Sequence, residues 1–302
     1  MRKFYLLWLL CLFAAPAIAQ TAADTAALRG AVWQKSVPAE NVACFRAELT
    51  LFGRPQIVSY LVVDTAQYTL HLVNARGKEL VSRMAEENDA VAAVNGGFYS
   101  VKLIGGGEPI NLLKIAGKVV GDRPSGWWIG DGAVATDERG TVAVRRLDPA
   151  RDTVDDNNPT YVLAAFPMLV ENGGIIPQTD LSLHPRTAAG IGPRGIVLAV
   201  VDGRQAGSEG MGIGELAWLV RMLGCDQALN LDGGGSSVLW TCTDGVVNSA
   251  VGDTRLRALR SEVAGQDMQH KKIQRKARRA ERRGQRTAGQ RPVGNALIVV
   301  RK

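Results

Sequence analysis

Asn230-Leu231-Asp232-Gly233-Gly234-Gly235-Ser236-Ser237 joins an apolar run to a carboxylate and then to three consecutive glycines. Glycine loses more backbone freedom on folding than any other residue, so three in a row imply positive φ angles or close approach of a ligand to bare main chain. Gln227 to Leu231 before it and Ser237 to Thr241 after it have the apolar character of buried strands, which puts Asp232 and Ser236 at strand tips. Loops carried on rigid strands are where functional groups are presented. The plainer alternative is a glycine-rich turn with a capping Asp. If the two strands pair as a hairpin centred near Gly234, Cys225 falls opposite Cys242 and a disulfide would brace the loop. Such a bridge is worth about 3 kcal/mol in the chain-entropy description. Two separate buried thiols are the alternative.

Working outward, the same arrangement recurs. Ala90 to Val94 is an apolar strand running into Asn95-Gly96-Gly97-Phe98-Tyr99, and Ile196 to Val201 runs into Asp202-Gly203-Arg204. Asn can both donate and accept, as a sugar hydroxyl requires, although Asn-Gly is also a hairpin signal. Val42 to Leu51, Gln56 to Val63 and Tyr68 to Val73 read as consecutive strands, Leu80 to Asn88 as a short helix, and Leu112 to Val120 as a hairpin. Tyr161 to Val170 and Gly174 to Pro177 bracket a turn at Glu171-Asn172-Gly173. Ile213, Leu216, Ala217, Val220 and Leu223 fall at helical spacing, giving an amphipathic helix closed by Gly224. Gly294 to Val300 is the last apolar strand. The pattern predicts an α+β fold: one domain, residues 41–302, with a mixed, mostly antiparallel β-sheet flanked by a few helices, preceded by a loose arm or short helix at 20–40.

The chain has 302 residues, 46% hydrophobic and 22% charged, which suits an ordinary globular core. Arg2 and Lys3, an apolar run from Phe4 to Ala15, and Ala17-Ile18-Ala19 have the three parts of a signal peptide in order, so residues 1–19 are expected to direct export to the periplasm or exterior. No later run reaches the roughly 18 apolar residues of a membrane span, so no transmembrane anchor is expected. Thr254 to Arg291 holds 13 Lys and Arg against 3 Asp and Glu, a net +10; with +7 in total, the rest of the chain is at −3. This polar stretch, about 254–291, reads as a disordered or solvated insertion suited to contact with an anionic polymer. Nucleic acid is a poor partner for an exported chain.

Gly190, Gly192 and Gly195 match the spacing of a dinucleotide fingerprint, but Pro193 lies inside it and no helix follows, so the context of that site is missing. No Cys-x-x-Cys pair, His-Glu-x-x-His, Gly-x-Ser-x-Gly or Walker sequence is present, which gives metal, serine-hydrolase and nucleotide-hydrolase readings little support. What remains is carboxylate, amide and glycine at strand ends with two arginines nearby, Arg186 and Arg204. Guanidinium forks and open main-chain amides suit an anionic, hydroxyl-rich ligand such as a sugar phosphate.

Asn95-Gly96-Gly97-Phe98, Pro185-Arg186-Thr187-Ala188, Asp202-Gly203-Arg204 and the stretch from Asn230 to Ser237, in this order, resemble the phosphodiester glycosidase family. The resemblance covers about residues 55 to 300, and Arg291-Pro292 through Asn295-Ala296-Leu297 resembles the family's closing strand. Members of that family have an α+β fold and cleave N-acetylglucosamine from a sugar phosphodiester to leave a phosphomonoester; what the resemblance implies here is the reaction class, not the substrate, and no cofactor is expected. The basic insertion departs from the family pattern, and with the leader it points to a bacterial-type exported relative acting on envelope polymers.

Cleavage at the anomeric carbon develops positive charge on the sugar, and the departing phosphomonoester, with a second pKa of about 6, leaves without strong protonation. One carboxylate and a held phosphate therefore suffice. Asp232 is the expected base or nucleophile and Asp202 the competitor. Arg186 and Arg204 are expected to clamp phosphate, Asn95 and Asn230 to hold sugar hydroxyls, and Ser236 with the amides of Gly233, Gly234 and Gly235 to complete the cradle. Gly96, Gly97 and Thr187 belong to the same substrate-binding set. The competing functions are a non-catalytic binder of anionic envelope glycan and a metal-assisted phosphodiesterase.

Overall fold

A computed structural model describes residues 22–100, 106–120, 130–147, 159–249 and 290–302. The expected signal peptide, the Trp127-Trp128 pair, the polar stretch from Asp148 onward and all but the end of the basic insertion lie outside these residues.

Three sheets make up the fold, and every pairing among the described strands is antiparallel. The largest has eight strands in the order β1 (Gln34–Ala39), β2 (Val42–Leu51), β3 (Arg54–Val63), β14 (Gly195–Val201), β13 (Arg186–Gly192), β15 (Gln227–Asn230), β11 (Met168–Glu171) and β12 (Gly174–Ile175). A five-stranded sheet runs β17 (Gly245–Val246), β16 (Leu239–Thr241), β5 (Ala92–Asn95), β18 (Val293–Arg301), β4 (Tyr68–Glu79). The other runs β7 (Lys118–Val119), β6 (Leu113–Ile115), β10 (Tyr161–Ala165), β8 (Gly132–Thr136), β9 (Val142–Arg146). Helices α1 (22–30), α2 (Val81–Glu86) and α3 (Ile213–Met222) are few and peripheral. The α+β class thus holds in coarse form only: the protein is strand-dominated, and its sheets are not mixed.

The apolar run of β14 shows why the sequence demands this layering. Ile196, Leu198 and Val200 enter the core shared by the sheets, where they meet Leu70, Leu72, Val94, Leu163, Leu239 and Leu297. Val197, Ala199 and Val201, on the opposite face, pack with Leu216, Leu219 and Val220 of α3. Side chains alternate across a strand, so a continuous apolar run is stable only where both faces are covered. On the five-stranded sheet, Ala93 and Ile298 face Val81, Met84 and Ala85 of α2. Helix α3 begins where Glu215 accepts the Gly212 N–H at 3.0 Å, and the same carboxylate pairs with Arg54 at 2.6 Å.

One expectation is extended and two are corrected. Residues 20–40 contain a short helix, α1, and are built into the domain: Leu28 of α1 is buried, Asp24 accepts the Phe52 N–H at 2.7 Å, and β1 extends the large sheet. The stretch from Tyr161 to Val170 is two strands in different sheets, parted at Phe166-Pro167, where proline brings no N–H to a ladder. Finally, the strands flanking the glycine loop do not pair. β15 joins β13 and β11 while β16 joins β5, so Cys225 and Cys242 form no disulfide. Cys225 is buried against Gly190, its thiol pushed up to about 12 by burial, and Cys242 is exposed.

Candidate active site

The segments that carry Asn95, Arg186, Asp202 and Asp232 converge where the large sheet meets the five-stranded sheet that contains β5, β16 and β18. β5 ends at Asn95 and β15 at Asn230, and the chain crosses between the sheets through the glycine loop. Asn95 fastens the crossing. Its Nδ2–H donates to the Asp232 carbonyl at 2.6 Å, and its Oδ1 accepts from Thr187 Oγ1 at 2.8 Å and the Val238 N–H at 3.1 Å. Asn95 and Thr187, expected to touch substrate, are buried and bonded to each other. Gly96 and Gly97 also serve packing. A β-carbon at Gly96 would lie 2.1 Å from Asn295 Oδ1, the atom that accepts the Gly97 N–H at 2.7 Å.

The glycine loop itself is tied down. Gly234, at φ +60, turns its N–H to the Pro185 carbonyl at 2.8 Å, and the Asp232 N–H donates to the Gly96 carbonyl at 3.2 Å. A β-carbon at Gly233 would lie 2.8 Å from that same Pro185 carbonyl. The amides expected to cradle a ligand are thus partly engaged in holding the loop.

Asp232 is half-buried at this crossing. Burial pushes its carboxyl above the ordinary carboxylate range, against the opposing pull of the Ser236 hydroxyl, the Arg291 charge and the Gly233 N–H. Buried Ser236 receives two N–H groups of Arg291 on its Oγ, at 3.2 and 2.5 Å. With these N–H groups on its lone pairs, the Ser236 hydroxyl has its hydrogen free to donate, and it is among the groups that favour the ionised form of Asp232. Asp202 is different. It is fully buried, its Oδ1 accepts from Asn248 Nδ2 at 2.8 Å, and the Ser249 N–H lies 3.1 Å from both carboxylate oxygens. Burial raises its carboxyl too, opposed by those donors and by Arg46. Asp202 is a strut for the 248–249 segment.

The two expected phosphate-binding arginines also part company. Arg186 is buried, with its Nε–H on the Met211 carbonyl at 2.8 Å and its Nη2 on the Ser182 carbonyl at 2.7 Å and Asp180 at 3.4 Å. Arg204 is exposed, and its guanidinium lies over the glycine loop, 3.5 Å from a β-carbon placed on Gly234. Arg291 lies 3.5 Å from the equivalent point on Gly235. Arg204 and Arg291 therefore flank consecutive glycines beside Asp232. Asn230 donates to the Phe166 carbonyl at 2.8 Å, while its buried Oδ1 has no partner among the described residues. Phe166 stacks on Phe98 with ring centroids 4.8 Å apart.

Sequence reasoning missed Asn248 and Phe166 as parts of this region. Phe98, Arg291 and Asn295 lay in segments that resemble the family, but Arg291 and Asn295 were given no role in the site and Arg291 was counted with the basic run. Among the described residues no group of three or more His, Cys, Asp or Glu is placed to hold a metal ion, and no helix is long and apolar enough to cross a membrane.

Comparison with known proteins gives this geometry a context. The model of the phosphodiester glycosidase family matches residues 88–300. The catalytic domain of zebrafish N-acetylglucosamine-1-phosphodiester α-N-acetylglucosaminidase, solved in a form auto-inhibited by its pro-peptide, is similar in fold with a TM-score of 0.54 at 21% identity, covering 73% of this chain and 80% of that one. A protein from Synechocystis is similar with a TM-score of 0.55 at 14% identity, covering 90% of this chain and 64% of that one. No curated protein matches the chain in sequence.

Proposed function

Since the chain belongs to the phosphodiester glycosidase family, we propose that it hydrolyses a glycosyl phosphodiester at the anomeric C–O bond, releasing a sugar and a phosphomonoester. The observation that carries this reading is Asp232: a half-buried carboxyl with a raised pKa, within the influence of Arg291 and leading into a glycine loop that Arg204 and Arg291 flank, at the point where the family-like segments meet. A raised pKa makes the ionised form a stronger base. Asp232 takes a proton from water as the oxocarbenium ion develops, or attacks the anomeric carbon itself. Asp202 is disfavoured because its oxygens are already held by Asn248 and Ser249.

Arg204 and Arg291 hold the phosphate, whose second pKa of about 6 lets it depart without a proton donor. Arg186, Asn95 and Thr187 keep the strand tips in register. The unpartnered Oδ1 of Asn230 is buried, so it serves as an acceptor for a sugar hydroxyl only where substrate displaces the groups that cover it. The fold shared with the zebrafish enzyme supports an N-acetylglucosamine-like sugar. The leader at 1–19 and the net +10 between Thr254 and Arg291 support an exported enzyme acting on an anionic envelope or extracellular glycan.

Hydrolysis of a synthetic N-acetylglucosaminyl phosphodiester in oxygen-18 water tests the bond assignment. We expect the label in the anomeric hydroxyl of the sugar, read before ring opening exchanges it. Label in the phosphomonoester would replace the glycosidase by a phosphodiesterase attacking phosphorus. Binding without turnover would make the protein a glycan-binding module.

A further inference from the structure

Arg204 is an exposed side chain on a residue with φ +56, a conformation that a non-glycine residue adopts only when its surroundings hold it there. Its loop is firmly built. The Arg204 N–H donates to the Glu209 carbonyl at 3.2 Å, Gln205 and Ser208 exchange backbone hydrogen bonds at 3.1 Å, and Ser208 Oγ donates to the Asp202 carbonyl at 2.7 Å. The long side chain would still sample many rotamers, and ordering it costs up to about 2 kcal/mol. One contact orders it: Arg204 Nη2 lies 2.9 Å from His184 Nδ1.

Chemistry fixes the sense of that contact. A guanidinium has donors only, so Nδ1 must be the acceptor and the ring must be neutral, with its proton on Nε2. His184 is itself immobilised, because its backbone N–H and carbonyl pair with Met211 at 3.3 and 3.0 Å. A β-carbon on Gly203 would lie 2.7 Å from the nitrogen of Pro185, so the two loops are in contact beneath the pair. We infer that His184 is a positioning residue whose neutral imidazole holds the Arg204 guanidinium over the Gly233-Gly234-Gly235 loop, so that phosphate binding is lost when His184 takes up a proton. This rests on Arg204 being a phosphate-binding group.

The charged groups around His184 agree with a neutral ring. Arg204 on the facing loop and Arg186 on its own segment disfavour protonation, Asp180 favours it, and Glu215 of α3 acts on Arg186. Burial is the larger influence and, with the two arginines, moves the imidazole below its ordinary value. A protonated ring would have no acceptor at Nδ1 and would repel Arg204.

Dimethyl phosphate is the probe, since a diester keeps a single negative charge between pH 4 and 8 and any pH dependence then belongs to the protein. Its affinity is read by NMR titration, together with the His184 ring nitrogens. We expect the Nε2–H tautomer and weaker binding as pH falls through the His184 titration. His184→Leu should weaken binding on the order of tenfold at neutral pH, equivalent to about 1.4 kcal/mol. His184→Asn, whose Oδ1 replaces Nδ1 as an acceptor that does not titrate, should keep the neutral-pH affinity and lose the acid decline. If Arg204→Ala weakens binding while His184→Leu does not, the positioning role falls and the phosphate reading stands. If Arg204→Ala binds like wild type, the phosphate reading falls and takes this inference with it. A wild-type ring carrying its proton on Nδ1 overturns the inference without any variant.

Discussion

Replacing Asp232 by Asn separates catalysis from stability, because the carboxyl is set where ionisation costs the fold something. Its raised pKa means that the folded protein binds a proton more tightly than the unfolded chain does. That contribution to stability is fully present below the unfolded value, about 3.9, and is lost as pH rises through the raised value. At pH 7 the wild type therefore bears a penalty that a neutral Asn does not. The expected stability change at pH 7 is within about 1 kcal/mol, with either no change or a gain. Turnover should fall by about 10²-fold to 10⁴-fold, the range of a positioned acid–base group, or further if Asp232 is the nucleophile. The assay is kcat/KM on an N-acetylglucosaminyl phosphodiester, with thermal unfolding followed at pH 4.5 and 7. In the wild type, kcat/KM should decline on the acid side at a pH above the ordinary carboxylate range, and the variant's residual rate should lack that limb. Activity within about tenfold of wild type, roughly 1.4 kcal/mol in the barrier, would remove Asp232 from catalysis. A large drop in melting temperature would show that the carboxyl is a structural group instead.

Arg186→Lys should reduce stability by about 1 to 3 kcal/mol, because one ammonium cannot reach the Met211 and Ser182 carbonyls that the fork now serves; unchanged denaturant midpoints would show that these bonds do not hold the strand tips in register. Deleting residues 264–289, which carry much of the positive charge, should leave activity on small diesters while weakening sedimentation with an anionic glycan at low salt. At about 1 M salt, where the screening length is about 3 Å, the full-length protein should lose that binding too; salt-insensitive binding would show that exposed charge is not its source.

The sequence showed most where a single element decided its own fate. The β14 run is apolar at every position because both faces are covered, and the 3.6-residue spacing from Ile213 to Leu223 placed α3 within a residue of its end. Partner choice was not legible in this way. Nothing local to Gln227–Asn230 and Leu239–Thr241 shows that they join different sheets, since their partners in β13 and β5 are distant in the chain. The same limit governed the site. A strand that stops at a sheet crossing leaves main-chain donors and acceptors unpaired, and leaving a buried one unmade costs about 1 to 3 kcal/mol. Asn95, with a donor and an acceptor on one short side chain, takes up the Asp232 carbonyl and the Val238 N–H that the crossing leaves behind. Asp202 does the same for the Ser249 N–H and Arg186 for the Ser182 carbonyl, while Arg186 adds a second donor to the Met211 carbonyl that the His184 N–H already reaches. Polar residues at strand tips are thus claimed first by the backbone, which leaves the proposed chemistry to groups beyond that demand. Those groups are the Asp232 carboxyl, the Asn230 oxygen and the exposed Arg204 and Arg291, the last reaching the site from a point 55 residues beyond Ser236.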